Sequence, residues 1–279
     1  MPRARFGLAL GAACLSCPVT SDIARDAGMS LTDNSSRTVT IRAENLSKLY
    51  GDFAALHSVS FAVRQGTVCA FLGPNGAGKS TTMKILTGYL SPTSGSARVL
   101  GFDPTDPEQR ITLAGRLGYL PENGPLYADM TPRETFEFLA KVRGLGPATA
   151  SAIERVVSQC AINNVMSMPV AKLSKGFRQR VGMAQALLHD PEVLIFDEPT
   201  SGLDPLQIRE VRTLIRELGK TKTILLSTHI LQEVEAVASE VVMIGEGRLV
   251  FSGTLDELRA GGSVEQRFYA LMDRKKGAA

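Results

Sequence analysis

The sequence predicts an α/β fold built on a mostly parallel core sheet, and three observations carry that reading. Gly73-Pro74-Asn75-Gly76-Ala77-Gly78-Lys79-Ser80-Thr81 fits the pattern G-x-x-x-x-G-K-[ST] at every fixed position. It stands between a buried-strand run, Thr67 to Leu72, and a helical run, Thr81 to Leu86, so strand, loop and helix follow one another. Val193-Leu194-Ile195-Phe196 is fully apolar, as expected of a strand covered on both faces of a parallel sheet. From about Thr131 to Leu187 the apolar period changes from that of a strand to that of a helix. Helices with no strand between them, set into an α/β chain, suggest an α-helical subdomain.

Taken in order, residues 1–38 read as a disordered leader or as a start placed too far upstream. Phe6 to Val19 is apolar after Arg3 and Arg5 and superficially resembles an export signal, with small residues at Gly11, Ala12 and Ala13. A second methionine, Met29, opens a polar stretch that leads into the first strand. Val39 to Leu46 alternates as a strand, Lys48 to Gly51 is a turn, and His57 to Arg64 alternates again. After the glycine-rich loop and its helix, Pro92 to Gly95 is a turn, and Ala97 to Leu100 and Leu117 to Leu120 are strands. Glu134 to Val142, Ala148 to Cys160 and Gly176 to Leu188 read as amphipathic helices, the first opened by a Thr131–Glu134 capping box. Beyond Val193 to Phe196, Leu206 to Leu218 and Ile230 to Ala238 are helices. Thr223 to Leu226, Val241 to Ile244 and Leu249 to Phe251 are strands. From Gly253 onward the reading is a short helix and a charged, small-residue tail.

The glycine-rich loop carries the clearest chemistry. Its glycines allow backbone conformations that a Cβ obstructs, so successive N–H groups can point into one concavity that cradles phosphates. Lys79 reaches phosphate oxygens as a point charge, the Ser80 hydroxyl can ligate Mg²⁺, and the helix dipole adds its positive end. Asp197-Glu198 directly follows the apolar run Val193 to Phe196. Four hydrophobics and an aspartate are often only a strand end. Beside a phosphate loop, that position is where a Mg²⁺-binding Asp belongs, and Glu198 can polarise a water aimed at the γ-phosphate.

Five stretches read together resemble the nucleotide-binding subunit of ABC transporters. They are Gly73 to Thr81, Leu173-Ser174-Lys175-Gly176-Phe177-Arg178-Gln179-Arg180, Leu194 to Pro199, Ser201-Gly202-Leu203-Asp204 and Ser227-Thr228-His229. The resemblance implies a P-loop NTPase with an N-terminal antiparallel β-subdomain beside the core sheet and an inserted helical subdomain over residues 124–188. The ATPase domain would span 39–253, with a C-terminal helix and tail over 254–279. It further implies ATP and Mg²⁺ as cofactors, with Tyr50 stacked on adenine, Gly73 to Thr81 around the phosphates, and Ser80, Glu122 and Asp197 at the metal. Glu198 becomes the general base and His229 the residue that orients the attacking water. Ser174 and Gly176 would cap the γ-phosphate of an opposite subunit, and Asp204 would lie across the dimer interface. Two features depart from the family pattern: Lys175 and Phe177 replace a glycine and a glutamine, and Glu122 stands where most members carry glutamine. Both features resemble bacterial ATPases of the drug-resistance and gliding-motility exporters.

The implied protein is a homodimer or heterodimer of ATPase subunits, peripheral on the cytoplasmic face of the inner membrane and driving a separate transmembrane permease. Composition agrees with this and excludes other classes. The chain has 279 residues, 44% hydrophobic and 21% charged, and a net charge of +3 that gives no argument for nucleic acid. No run reaches the length of a membrane-spanning helix. Cys14 and Cys17 have no second pair for zinc, and Cys69 and Cys160 read as small buried hydrophobes. A soluble ABC ATPase acting on ribosomes or DNA would carry two cassettes or a long coiled-coil insert. Here about 95 residues separate Lys79 from Ser174, too few for that insert. A non-hydrolysing regulatory module would be expected to lack Glu198 or His229, and both are present.

Overall fold

A computed structural model describes residues 38–276, so the leader reading, with Cys14 and Cys17, lies outside the described residues. The chain falls into two units, 1–36 and 37–279, and every described residue belongs to the second. It opens with a long antiparallel hairpin, Val39–Tyr50 (β1) and Phe53–Arg64 (β2). The turn expected over Lys48 to Gly51 is tighter than that. Leu49 and Tyr50 stay paired with Ala54 and Phe53, because Gly51 takes the left-handed φ of +57° that a two-residue turn needs. Asn45 bulges at φ +49° with its N–H held by the Ser60 hydroxyl, which shifts the inward phase from Ala43 to Leu46. Ser94–Val99 (β4) adds to the other side of β1, giving a three-stranded antiparallel sheet in the order β2-β1-β4.

The core sheet has six strands. Val68–Leu72 (β3), Leu117–Leu120 (β5), Val193–Asp197 (β6), Thr223–Thr228 (β7) and Glu240–Gly245 (β8) run parallel, and Arg248–Thr254 (β9) closes one edge antiparallel. The order is β5-β6-β7-β3-β8-β9, so the C-terminal ends of β6, β7 and β3 lie side by side. Every residue of β3, β6, β7 and β8 is buried, which is why these strands read as apolar runs rather than as alternation.

Helices cover the sheet. Lys79–Leu86 (α1) starts in the glycine-rich loop. Pro107–Ala114 (α2) is a helix the apolar pattern does not announce, since only Leu113 of its eight residues is buried. Its start is a local matter: Asp106 accepts from the N–H groups of Glu108 and Gln109, and Pro107 opens the first turn. Between β5 and β6 the described chain carries only helices, chiefly Pro132–Val142 (α3), Thr149–Gln159 (α4) and Lys175–Leu187 (α5). The Thr131–Glu134 capping box is formed as expected. Pro205–Gly219 (α6), Leu231–Val237 (α7), Leu255–Arg259 (α8) and Val264–Lys276 (α9) complete the set. The charged tail expected at the C-terminus is largely helix α9. Val264, Phe268 and Leu271 recur at helical spacing and pack on a cluster containing Leu72, Val241 and Met243.

Two larger clusters hold the rest. One joins α3, α4 and α5 to β6 and β7 through Phe136, Val156, Leu187 and Phe196, all fully buried. The other fills the space between the two sheets around Phe61 and Phe71, whose ring centroids are 5.2 Å apart. Each such side chain contributes roughly 1.5–3 kcal/mol on burial, so the strand ends above them are anchored on a rigid base.

Candidate active site

The glycine-rich loop leaves β3 at the middle of the sheet and is wedged between β2 and β8. A Cβ on Gly73 would run into the Ile244 carbonyl oxygen. Gly78, at φ +101°, would place a Cβ 2.6 Å from the Ala55 carbonyl oxygen and 2.7 Å from a Leu56 methyl. Two glycines of the motif are therefore required by close backbone approach, and Gly78 by its φ as well. The loop is braced from the β8–β9 turn, where Gly247 donates to the Ala77 carbonyl at 3.1 Å and accepts from the His57 N–H at 2.7 Å.

Lys79 is 6% exposed and its ammonium donates to the carbonyl oxygens of Gly73 at 2.8 Å and Pro74 at 3.2 Å. It also forms an ion pair with Glu198 Oε1 at 3.1 Å. The other carboxylate oxygen of Glu198 lies 2.9 Å from His229 Nδ1. An ionised carboxylate only accepts, so Nδ1–H is the donor there and the imidazole's Nε2 is left as the basic nitrogen. Glu198 is 7% exposed and sits at φ +50°, a left-handed conformation that costs a non-glycine residue about 1–3 kcal/mol. His229 is partly open to solvent at 41% exposure, so the chain Lys79–Glu198–His229 runs from a buried cation to an accessible imidazole.

Asp197, 2% exposed, accepts from Ser227 Oγ at 2.6 Å and from Ser80 Oγ at 3.2 Å. Ser227 Oγ in turn accepts from the Glu198 N–H at 3.0 Å. A hydroxyl and a carboxylate side by side are hard oxygen donors suited to Mg²⁺, which commonly takes one or two protein oxygens plus substrate phosphates. Burial, and after it the charge of Asp197, push the neighbouring Tyr119 phenol well above its usual range.

The other expected residues fall into two groups. Ser174 caps α5 by accepting from the Phe177 N–H, and Asp204 caps α6 through a reciprocal box with Gln207. A Cβ on Gly176 would sit 2.5 Å from the Gln207 amide, and the Lys175 ammonium lies directly over Gly202. Ser174, Gly176 and Asp204 thus share one face made of two helix starts. Among the described residues no hydrogen bond or ion pair joins them to the Lys79 ammonium, whose partners are Gly73, Pro74 and Glu198. Tyr50 stands at the tip of the hairpin whose second strand touches the loop; it is 49% exposed with the Lys48 ammonium 5.4 Å from its ring centre. Glu122 lies two residues past β5, where Leu120 pairs with Phe196, so it leaves the sheet beside Asp197. It is exposed and, among the described residues, makes no hydrogen bond with Ser80 or Asp197. The expectation missed the joint role of Ser227, whose place inside a fully buried strand shows no sequence period.

Residues 56–201 match the family model described as ABC transporter. The chain belongs to the ABC transporter ATP-binding family. Escherichia coli K12 has a relative named probable multidrug ABC transporter ATP-binding protein YbhF, 40% identical over 79% of this chain. The match spans 38% of that relative's length. A Bacillus licheniformis relative, bacitracin transport ATP-binding protein BcrA, is 39% identical over 78% of this chain and 71% of its own. A solved ATP-binding subunit of an ABC transporter superposes with a TM-score of 0.73 at 32% identity, covering 83% of this chain and 99% of that one. The printed names of these relatives describe ATP-binding proteins of transport systems. Among the described residues no helix is long and apolar enough to cross a membrane.

Proposed function

We propose that this chain is one of two ATPase subunits of a bacterial exporter, acting on the cytoplasmic face of the inner membrane through a separate permease. The multidrug and bacitracin names of its relatives support the export direction. The domain proper runs over 39–253 with the helical subdomain over 124–188, and residues 254–279 form a C-terminal addition. The observation that carries the mechanism is the chain of contacts Lys79–Glu198–His229 at the mouth of the phosphate loop, 3.1 Å and 2.9 Å long.

In this reading Gly73 to Thr81 wrap the phosphates of ATP, and Lys79 exchanges its ion pair with Glu198 for the phosphate oxygens. That exchange frees Glu198 to accept a proton from the attacking water. His229 holds the Glu198 carboxylate through Nδ1–H and turns Nε2 toward the γ-phosphate side. Ser80 and Asp197, joined by Glu122 just past β5, would hold Mg²⁺, which would neutralise phosphate charge there. Tyr50 stacks on the base. Ser174 and Gly176 present the N-terminus of α5 to the ATP of a second ATPase subunit, identical or related, with Asp204 at the seam.

Glu198→Gln tests this. The amide keeps the shape and removes the base, so turnover should fall by about 10²–10⁴-fold while ATP still binds. Nucleotide binding retained with hydrolysis unchanged would remove Glu198 from the role of base. Lys79→Ala should abolish ATP binding in a direct titration, and equal affinity would contradict the assignment of the loop.

A further inference from the structure

Glu233 on α7 is 2% exposed, yet it takes no part in the mechanism described so far. Its Oε1 accepts from the Thr200 hydroxyl and its Oε2 from the Thr228 hydroxyl at 2.6 Å. The Arg212 guanidinium of α6 stands 4.0 Å from Oε1. Thr228 is used twice, since its Oγ also accepts from the Ile230 N–H at 3.0 Å. Thr200 and Thr228 are themselves buried, at 3% and 0% exposure. A carboxylate taken out of water costs several kcal/mol unless it is paired and hydrogen-bonded, so these contacts hold Glu233 in one place.

The two threonines lie at informative positions. Thr200 is two residues after Glu198 and Thr228 is the residue before His229. The β6–β7 ladder ends at Asp197 paired with Ser227, so beyond that pair no strand pairing ties the two segments together. Among the described residues the hydrogen bonds that still join them are the Ser227 hydroxyl on the Glu198 N–H, the Glu198–His229 contact itself, and the bridge through Glu233. Glu198 is moreover held at a strained φ of +50°, which persists only where surrounding structure over-determines it.

We infer that Glu233 is a positioning residue: it clamps the Glu198 segment and the His229 segment to each other from behind and sets the Glu198–His229 contact. The inference rests on the roles proposed above for Glu198 and His229. It acts through the Thr200 and Thr228 hydroxyls rather than on ATP. The Thr228 backbone carbonyl keeps its own bond from the Gly73 N–H at 3.2 Å, and Thr228 keeps its strand pairing with Leu72. Loss of Glu233 therefore moves the imidazole and the carboxylate apart while the phosphate loop stays tied to β7.

The chain has three histidines, so ¹⁵N-histidine NMR of the full chain resolves each, with His57 and His189 as internal reports on folding. Glu233→Ala should shift or broaden the His229 ring-nitrogen signals and leave those of His57 and His189 in place. Glu233→Gln, which keeps the shape and one acceptor oxygen, should give a smaller change of the same kind. Steady-state hydrolysis should fall about 10- to 100-fold in Glu233→Ala, with ATP affinity held within about twofold, as expected of displaced catalytic groups. In a His229→Ala background the same substitution should change the rate by no more than about twofold, since the Glu198–His229 contact that it sets is already gone. Where Glu233→Ala moves the His57 and His189 signals as well, Glu233→Gln and Thr228→Val carry the test with the same expectation. An unmoved His229 signal in a folded variant, or an equal rate loss in the His229→Ala background, would overturn the role of Glu233. Unchanged hydrolysis in His229→Ala alone would instead overturn the proposed catalytic roles, so the two failures are told apart.

Discussion

Ser227→Ala removes one oxygen from the centre of the site, and its cost can be worked from the contacts. That oxygen donates to Asp197 Oδ1 at 2.6 Å and accepts from the Glu198 N–H at 3.0 Å. Asp197 is 2% exposed, so the first bond is a charge-assisted one in a buried setting, worth about 1.5–3 kcal/mol. The Glu198 N–H is then left without a partner, which costs about 1–3 kcal/mol. The two penalties share one void that a water can enter, so the net loss should be about 3 kcal/mol. For a domain of this size that corresponds to roughly 6–12 °C in Tm. Urea unfolding of both chains measures it directly, with Ser201→Ala as the control, since among the described residues Ser201 bonds through its backbone N–H to the Glu198 carbonyl and not through its hydroxyl. The control should fall within about 0.5 kcal/mol of the parent. A Ser227→Ala loss below about 1 kcal/mol would refute the reasoning, because it would mean that the Asp197–Ser227–Glu198 arrangement does not hold the strand ends together.

Two further outcomes follow from other parts of the structure. Gly78→Ala adds a methyl 2.6 Å from the Ala55 carbonyl at a φ of +101°, so ATP affinity should fall at least tenfold in a nucleotide titration; affinity within twofold would show that the loop is not wedged as described. His189 is half-buried near Arg143, and desolvation first and that positive charge second lower its pKa from 6.5 to about 4. The unfolded chain therefore takes up a proton that the folded one refuses as pH falls from 6.5 to 4, and stability is lost across that window, by at most about 1.4 kcal/mol per pH unit. His189→Gln, which can still donate to the Leu117 carbonyl, should flatten the dependence of Tm on pH between those limits; an unchanged slope would assign the acid sensitivity to other groups.

How far the sequence could reveal this site depends on where each residue's information lies. The phosphate loop is legible because its requirements are local: Gly78 must take a left-handed φ, Lys79 and Ser80 must follow it, and all are neighbours in the chain. Asp197 and Glu198 are legible because a buried parallel strand is apolar throughout, so the first charge marks its end. The same uniformity hides Ser227, whose strand is buried on both faces and offers no alternation to say which way its hydroxyl points. Helix α2 escaped for the opposite reason, having one buried residue and hence no stripe, although Asp106-Pro107 is a readable start. Glu233 shows the limit most sharply. Helix α7 carries Glu233 and Glu235 two positions apart in seven residues, too short a segment for its apolar face to be fixed by periodicity. One of the two is exposed beside Arg259 at 4.0 Å, while the other is buried between two threonines, one in the turn after β6 and one at the end of β7, that are 28 positions apart in sequence. Which glutamate turns inward is decided by the sheet order that brings the ends of β6 and β7 together, a long-range fact that no local pattern around Glu233 contains.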